Sequence, residues 1–314
     1  MKGEILKMLS RAEGYTSGEH ISEQLGISRT GVWKHIQSLR EEGYTIVSVR
    51  KKGYRLEHSG TGFSAHAVSS KLRTEGIHIE HHEKIPSTQT RAQRLAQGGA
   101  RGWTVVTADE QTGGRGRRGR PWSTKKGTAL AASIILRLDK LPQEAAAITP
   151  TAAVIINDVL QRYGVDTRIK WPNDILAEGR KVCGILTEMH AEMDELHYLI
   201  IGIGVNVNET DFPEEIKPTA VSLRHLTGQE WDRSALLAAL LDELKKRLPE
   251  FEENGFTPFR EDWLRYSTVI NKEITIHQRH QSWKGRAVDI REDGRLIVET
   301  ETGQKEVISG DISI

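Results

Sequence analysis

Apolar residues recur every three or four positions through the first forty residues. They run Ile5, Leu6, Met8 and Leu9, then Ile21 and Leu25, then Ile27, Val32, Ile36 and Leu39. This spacing predicts three short amphipathic helices. Gly26 falls between the second and third, where a tight turn needs positive φ, and Ser28 stands where an N-cap belongs. Short helix, glycine turn and capped helix are the arithmetic of a helix-turn-helix. Tyr44–Val49 and Gly53–Leu56 then read as two strands around Arg50, Lys51 and Lys52, a basic wing. Helical hairpins with a glycine turn also occur in proteins that never meet DNA, and the wing is what tips the reading. Residues 1–60 are therefore expected to form a winged helix-turn-helix DNA-binding domain. Its contacts would be Ser28, Arg29, Thr30, Trp33 and Lys34 on the third helix and Arg50, Lys51 and Lys52 in the wing. Ser22 departs from the small alanine usual at its position, a change that helix packing should tolerate.

The polar stretch Glu57–Ser64 reads as a linker. From 65 to 266 the periods mix. Trp103–Ala108, Leu130–Leu138, Val182–Glu188 and Leu196–Val207 are strand-like; Thr88–Gln97, Gln143–Tyr163 and Ser234–Asn254 are helix-like. No regular βαβ repeat appears, which favours an α+β domain with a mixed sheet over a dinucleotide-binding fold. From 267 to 314 short strands take over at Lys272–His277, Trp283–Ile290, Arg295–Thr300 and Glu306–Ser309. Turns such as Glu292-Asp293-Gly294 separate them, as in a small SH3-like β-barrel.

Composition adds compartment and charge. The 314 residues carry a formal net charge of only +1, so no global field draws the chain to nucleic acid. The balance is uneven: residues 1–60 hold ten Lys/Arg against seven Asp/Glu, and the remainder 34 against 36. The single cysteine, Cys183, suits a reducing compartment. The first residues lack the apolar core of a signal peptide, and apolar runs such as Ala129–Leu136 fall well short of the ~20 residues that span a bilayer. A cytoplasmic protein without a membrane segment is expected.

Three segments carry chemistry. Residues 113–120 are four glycines and four arginines. Glycine permits unusual angles and close approach, and arginine offers a fork of donors for phosphate or carboxylate. The segment reads as a mobile loop that meets an anion. Arg118-Gly119-Arg120-Pro121 also matches the core of an AT-hook, a minor-groove binder. Flanking runs that look like buried strands favour a small ligand instead. The second segment is Lys170-Trp171-Pro172-Asn173-Asp174 followed by Lys181 at the head of a strand. It fits either a turn with a surface lysine or a lysine aimed at developing negative charge, with Asp174 as a Mg²⁺ ligand. The third, Ile201–Asn208, reads as glycines that admit a close ligand beside Asn206, or equally as a plain strand end. His78, His81 and His82 cluster without companions at metal-site spacing, so a solvated strand or turn is expected there.

Together these segments resemble the bacterial bifunctional biotin–protein ligases that double as biotin operon repressors. The likeness spans nearly the whole chain. It rests on Gly114–Arg120, Lys170–Asp174, Arg180-Lys181 with Gly184-Ile185-Leu186, and Gly204-Val205-Asn206, in the family's order. The resemblance implies a central ligase domain of the biotin/lipoate type. It implies ATP-dependent formation of biotinyl-5′-AMP and transfer of biotin to a lysine of the biotin carboxyl carrier domain of acetyl-CoA carboxylase. Ser87, Thr88, Gln89, Gln111, Arg115, Gly116, Arg117 and Lys181 would contact biotin. Arg117, Arg120, Trp122, Asn173, Lys181 and Asn206 would contact ATP, with Mg²⁺ at Asp174. Lys181, Arg115 and Arg117 would carry catalysis. Gln89 departs from the asparagine often found after Ser-Thr. Operator DNA and a homodimer favoured by the adenylate are the further partners implied.

Overall fold

Burial of the three- and four-residue stripes shapes the N-terminal part. The computed structural model describes every residue except 13, 42, 43, 59–62, 279, 280 and 314. Part of the expected linker Glu57–Ser64, residues 59–62, thus lies outside the described residues. Chain contacts define two units, Met1–Glu75 with Asp232–Leu241, and Gly76–Trp231 with Asp242–Ile314.

In the first unit, α1 (Lys2–Arg11), α2 (Gly18–Leu25) and α3 (Arg29–Glu41) precede the hairpin β1 (Thr45–Val49) and β2 (Gly53–His58) and a further helix, α4 (Ala65–Lys71). Ile5, Leu6, Ile21, Val32, Ile36 and Leu39 form its core. Gly26 adopts φ 63° at the end of α2. The Ser22 hydroxyl donates to the Ile27 carbonyl at 2.5 Å across the turn, a use that alanine would not have. Ser28 Oγ accepts the Gly31 N–H at 3.1 Å, as a capping residue should. Helix α4 was not apparent in the pattern. Its Ala67 joins the same core, so the unit extends to Glu75, past the expected boundary at 60–65.

The second unit begins with β3 (His78–Ile85), α5 (Thr88–Gln97), β4 (Thr104–Gln111), β5 (Ala129–Leu136), α6 (Pro142–Ala145) and α7 (Ile148–Arg162). There follow β6 (Arg168–Lys170), β7 (Asp174–Ala177), β8 (Arg180–Ala191), β9 (Leu196–Asn206) and α8 (Leu223–Thr227). Helix α9 (Arg233–Asn254), whose first turns count with the first unit, and α10 (Thr257–Tyr266) complete the helices. The strands form one sheet in the order β3-β4-β5-β9-β8-β7-β6. Only β3 and β4 run parallel, so the sheet is mixed as expected. Every residue of β5 is buried, which explains its unbroken apolar run. Ala92 and Ala96 of α5 pack on Val106, Ile135, Tyr198 and Ile200. The expected helix Gln143–Tyr163 is two helices, interrupted at Ala146 and Ala147, and nothing in the local sequence marks that break.

The last strands are β10 (Glu273–His277), β11 (Ser282–Ile290), β12 (Leu296–Thr300), β13 (Gly303–Val307) and β14 (Asp311–Ser313). They form an antiparallel sheet, β13-β12-β11-β10-β14, around Ile274, Ile276, Ala287, Leu296, Val298 and Ile312. The expected strand Glu306–Ser309 is shifted to Gly303–Val307, and the terminal strand β14 adds a fifth. Arg260 ties α10 to this sheet, donating to the Ile290 carbonyl at 2.9 Å and pairing with Asp289 at 2.5 Å.

Candidate active site

A cavity of about 260 Å³ is lined by the start of α5, the end of β4, the Gly-Arg loop, β8, the end of β9 and residues 209–220. All thirteen residues expected to meet biotin, ATP or metal border this one space, though up to 119 positions separate them, from Ser87 to Asn206.

One wall is neutral and hydrogen-bonding. Ser87 caps α5 and, with Thr88 and Gln89, is buried at 3–4% exposure. The Thr88 N–H donates to Gln111 Oε1 at 2.8 Å, and Thr88 Oγ1 lies 2.9 Å from Ser133 Oγ. The Ser133 hydroxyl donates to Gln89 Oε1 at 2.9 Å. Among the described residues, Gln89 Nε2 is buried with no hydrogen-bond partner. An unpaired buried donor costs about 1–3 kcal/mol, so a ligand acceptor here would recover that energy. Gly202 makes room for this glutamine, since a Cβ on Gly202 would stand 2.6 Å from Gln89 Oε1. Ser133 was missed in the sequence, yet it is the lone polar residue of β5, and that isolation was a readable signal.

The other walls are cationic. The Gly-Arg loop follows a defined path: Gly113 N–H donates to the Pro86 carbonyl at 2.8 Å, and Trp122 N–H to the Gly114 carbonyl at 2.8 Å. Gly114 is obligatory, because a Cβ there would overlap the Trp122 carbonyl. Each arginine has a partner from a distant strand or turn. Arg115 pairs with Glu188 at 3.0 Å. Arg117 donates to Asn173 Oδ1 at 3.2 Å and to the Gly310 carbonyl at 3.4 Å. Arg118 and Arg120 pair with Asp311 at 3.2 and 2.5 Å. Burial lowers the Arg117 pKa and the carboxylates of Asp311 and Asp174 oppose that, but a guanidinium stays charged in proteins. The flanks of the loop are the buried strands β4 and β5, which leaves the AT-hook look-alike inside a folded domain.

Lys181 opens β8. Its backbone is fixed on both sides, its N–H donating to the Thr219 carbonyl at 2.7 Å and its carbonyl accepting from Val221 at 3.0 Å. Its ammonium sits 2.7 Å from Asp174 Oδ1 and 5.4 Å from the centre of the Trp122 ring. That ring lies over Gly204, where a Cβ would intrude on the indole, while a Cβ at Gly184 would meet the Lys181 side chain first and the indole second. Asn173 donates to the Ile185 carbonyl at 2.6 Å and Asn206 to the Lys181 carbonyl at 3.2 Å, so both amides brace the walls. Among the described residues, no three His, Cys, Asp or Glu side chains gather to hold a metal. Mg²⁺ commonly takes one or two carboxylates and completes its shell with water and substrate phosphates. Asp174 at the cavity wall fits that role.

The expected DNA contacts occupy the first unit. Ser28 to Lys34 span the first turns of α3, where Trp33 is 52% exposed. Arg50 to Lys52 form the turn of the β1–β2 hairpin, with Lys51 at φ 70°. The histidine cluster, expected on a solvated strand or turn, lies on β3. Among the described residues, no helix is long and apolar enough to cross a membrane.

A winged helix-turn-helix, a cation-lined cavity on a mixed sheet and a small C-terminal antiparallel sheet define the class: a DNA-binding ligase. Comparison with known proteins agrees. Residues 82–206 match the model of the Biotin/lipoate A/B protein ligase family, residues 3–55 an HTH domain, and residues 269–314 the Biotin protein ligase C terminal domain. The chain is 40% identical over 320 residues to the bifunctional ligase/repressor BirA of Bacillus subtilis, covering 100% of this chain and 98% of that one. Identity to BirA of Escherichia coli is 29% over 313 residues, 99% and 96% of the two chains. The structure of the biotin protein ligase from Aquifex aeolicus in complex with biotin and ATP matches with TM-score 0.64 at 30% identity, over 75% of this chain and 97% of that one. The chain belongs to the biotin protein ligase family, among its bifunctional ligase/repressor members.

Proposed function

We propose that the cavity joins biotin to ATP and hands the activated biotin to a lysine of the biotin carboxyl carrier domain of acetyl-CoA carboxylase. The convergence of Lys181, Arg115, Arg117 and Arg120 on one cavity that also holds the Thr88–Ser133–Gln89 chain carries this reading. A carboxylate and a triphosphate repel each other, and fixed cations cancel that repulsion where charge develops. The neutral wall of Ser87, Thr88, Gln89 and Gln111 suits a ureido group, which both donates and accepts.

A biotin carboxylate oxygen attacks the α-phosphorus, the bond to the bridging oxygen breaks, and pyrophosphate leaves. Lys181 bridges the carboxylate and the α-phosphate; Arg115 and Arg117, with Gly116 between them, hold biotin and the phosphates. Trp122 lies against adenine, with Arg120, Asn173 and Asn206 around the nucleotide. Mg²⁺ at Asp174 would neutralise phosphate charge. The Gly-Arg loop excludes water from the labile adenylate. The carrier amine then attacks the acyl carbon, AMP leaves and the amine loses a proton.

The same chain represses biotin genes. The winged helix-turn-helix binds operator DNA through Ser28 to Lys34 and the wing, the ligase part of the chain supplies the adenylate, and the adenylate favours a homodimer in the cytoplasm. Purified protein incubated with ATP, biotin and carrier domain should label the carrier lysine. An unlabelled carrier overturns the ligase reading, and labelling by lipoate in place of biotin overturns the substrate. Operator binding that ignores biotin and ATP overturns ligand-controlled repression.

A further inference from the structure

The segment between α1 and α2 lies along the wing. The Thr16 N–H donates to the Tyr54 carbonyl and the Tyr54 N–H to the Thr16 carbonyl, both at 2.8 Å, a single antiparallel rung beside β2. Gly53 permits that approach. It sits at φ 104°, and a Cβ there would overlap the Thr16 carbonyl. The segment is thus pinned to the hairpin, and Tyr15 is carried with it. Its half-buried ring meets two cations from the hairpin. Arg55 Cζ lies 4.8 Å from the ring centre and Lys52 Nζ 5.9 Å.

A ring attracts a cation through its negative face and takes none of its N–H donors. The carboxylate that faces Arg118 and Arg120 in the Gly-Arg loop does take donors. A neutral ring also leaves the charge of the wing intact. What it removes is freedom. Lysine and arginine side chains lose more rotamer freedom than most when they are fixed, and that loss weakens a complex in which they settle on phosphates. Tyr15 restricts them before DNA arrives. We propose that Tyr15 is a positioning residue for DNA binding, pre-setting Lys52 and Arg55 so that the wing presents them in one arrangement. Operator DNA meets the wing in one register and gains most from this. Random DNA meets it in many registers, where one fixed arrangement gains little. The proposal rests on the repressor reading for its DNA, and on the Tyr15 stack alone for its mechanics.

Nuclear magnetic resonance of the full chain tests the mechanics without DNA. In the wild type the methylene protons of Lys52 and Arg55 should carry upfield ring-current shifts, which Tyr15→Phe keeps and Tyr15→Leu abolishes. Binding is then read on a biotin-gene promoter duplex and on a shuffled duplex of equal length, with biotin and ATP present. Tyr15→Leu should weaken promoter binding about tenfold and shuffled binding less than about twofold. The slope against log salt should stay the same, because no phosphate contact is lost. Tyr15→Phe, which keeps the ring face, should bind within about twofold of the wild type. In a chain that already carries Lys52→Ala and Arg55→Ala, Tyr15→Leu should have no further effect, as for groups that act through one another; a loss through misfolding would persist there. Tyr15→Phe as weak as Tyr15→Leu, equal losses on the two duplexes, or a loss that persists in the alanine background overturns the proposal. A wild type that binds both duplexes alike overturns the repressor reading and leaves the ring-current shifts to decide whether Tyr15 orders the wing.

Discussion

Two basic regions of this molecule differ in how far their charges are engaged, for of the cations expected to meet DNA only Arg29, beside Glu19, and Lys52, over Tyr15, have partners among the described residues. In the Gly-Arg loop Arg115, Arg117, Arg118 and Arg120 are all engaged, by Glu188, Asn173, the Gly310 carbonyl and Asp311. Around the winged helix, Lys34, Arg50 and Lys51 have no side-chain partner among the described residues. The difference teaches what each region can select. An engaged arginine must exchange one partner for another, so only a ligand that fits the same positions gains from displacing it. A free lysine gains from any phosphate through counterion release, whatever the sequence. Small-anion specificity therefore goes with the loop, and salt-dependent attraction to a polyanion with the wing.

The largest effect should come from removing the cation at the centre of the engaged set. Lys181→Ala should lower adenylate formation by about 10²–10³, the range seen when one fixed donor to developing charge is lost. ATP–pyrophosphate exchange measures this. A loss below tenfold would mean that the paired cations of the cavity are structural and that the contrast with the wing has no chemical content.

That contrast was only half legible in the chain. Both basic segments stand out as composition, and the 3–4 residue stripes of α1 to α3 predicted the winged helix, because amphipathic helices write their burial into nearby positions. The Gly-Arg loop and Lys181 stood out because glycine, arginine and lysine in such runs have few structural uses, whereas Ser87, Thr88, Gln111 and Trp122 were reached only through the family resemblance. The partners were not readable. Asp311 lies 193 positions from Arg118, and Glu188 lies 73 from Arg115; the sheet brings them together, and no local pattern records that. Strand β3 was hidden for another reason. It is an edge strand whose one fully buried residue is Ile79, so it lacks an apolar stripe. The end of the unit at Glu75 was missed because α4 contributes only the small Ala67 and Val68 to burial.

The free charges make the next prediction. Replacing Arg50 and Lys51 together by alanine should flatten the dependence of log affinity for DNA on log salt by about 1.8, at roughly 0.9 per phosphate contact. Trp33→Ala should instead lower the preference for operator over random DNA and leave the slope alone. Filter binding across a salt series separates them, and an unchanged slope in the double variant would remove the wing from the interface. A smaller effect is expected for Arg115→Gly. It should quicken release of biotinyl-5′-AMP about tenfold while DNA affinity without ligand stays the same. Release kinetics as slow as the wild type's would leave Arg115 a partner of Glu188 and nothing more.

The smallest effect tests whether an engaged arginine always signals a ligand. Arg91 on α5 binds Glu80 of β3 at 2.7 and 3.2 Å, away from the cavity lining. The Arg91 hydrogen bond holds the Glu80 carboxyl below its ordinary value of 4.5 against the opposing effect of burial, with His82 helping. A lowered carboxyl pKa stabilises the fold above the ordinary value, and that stability is lost as pH falls through the folded value. Glu80→Gln should therefore cost about 0.5 kcal/mol at pH 7, typical of a part-exposed pair. The difference from wild type should shrink below pH 4, read as converging urea midpoints. Pyrophosphate exchange should not change at all. If it did, engagement by a carboxylate would mark fold and function alike, and the arginines of the loop would have to be distinguished by their position at the cavity alone.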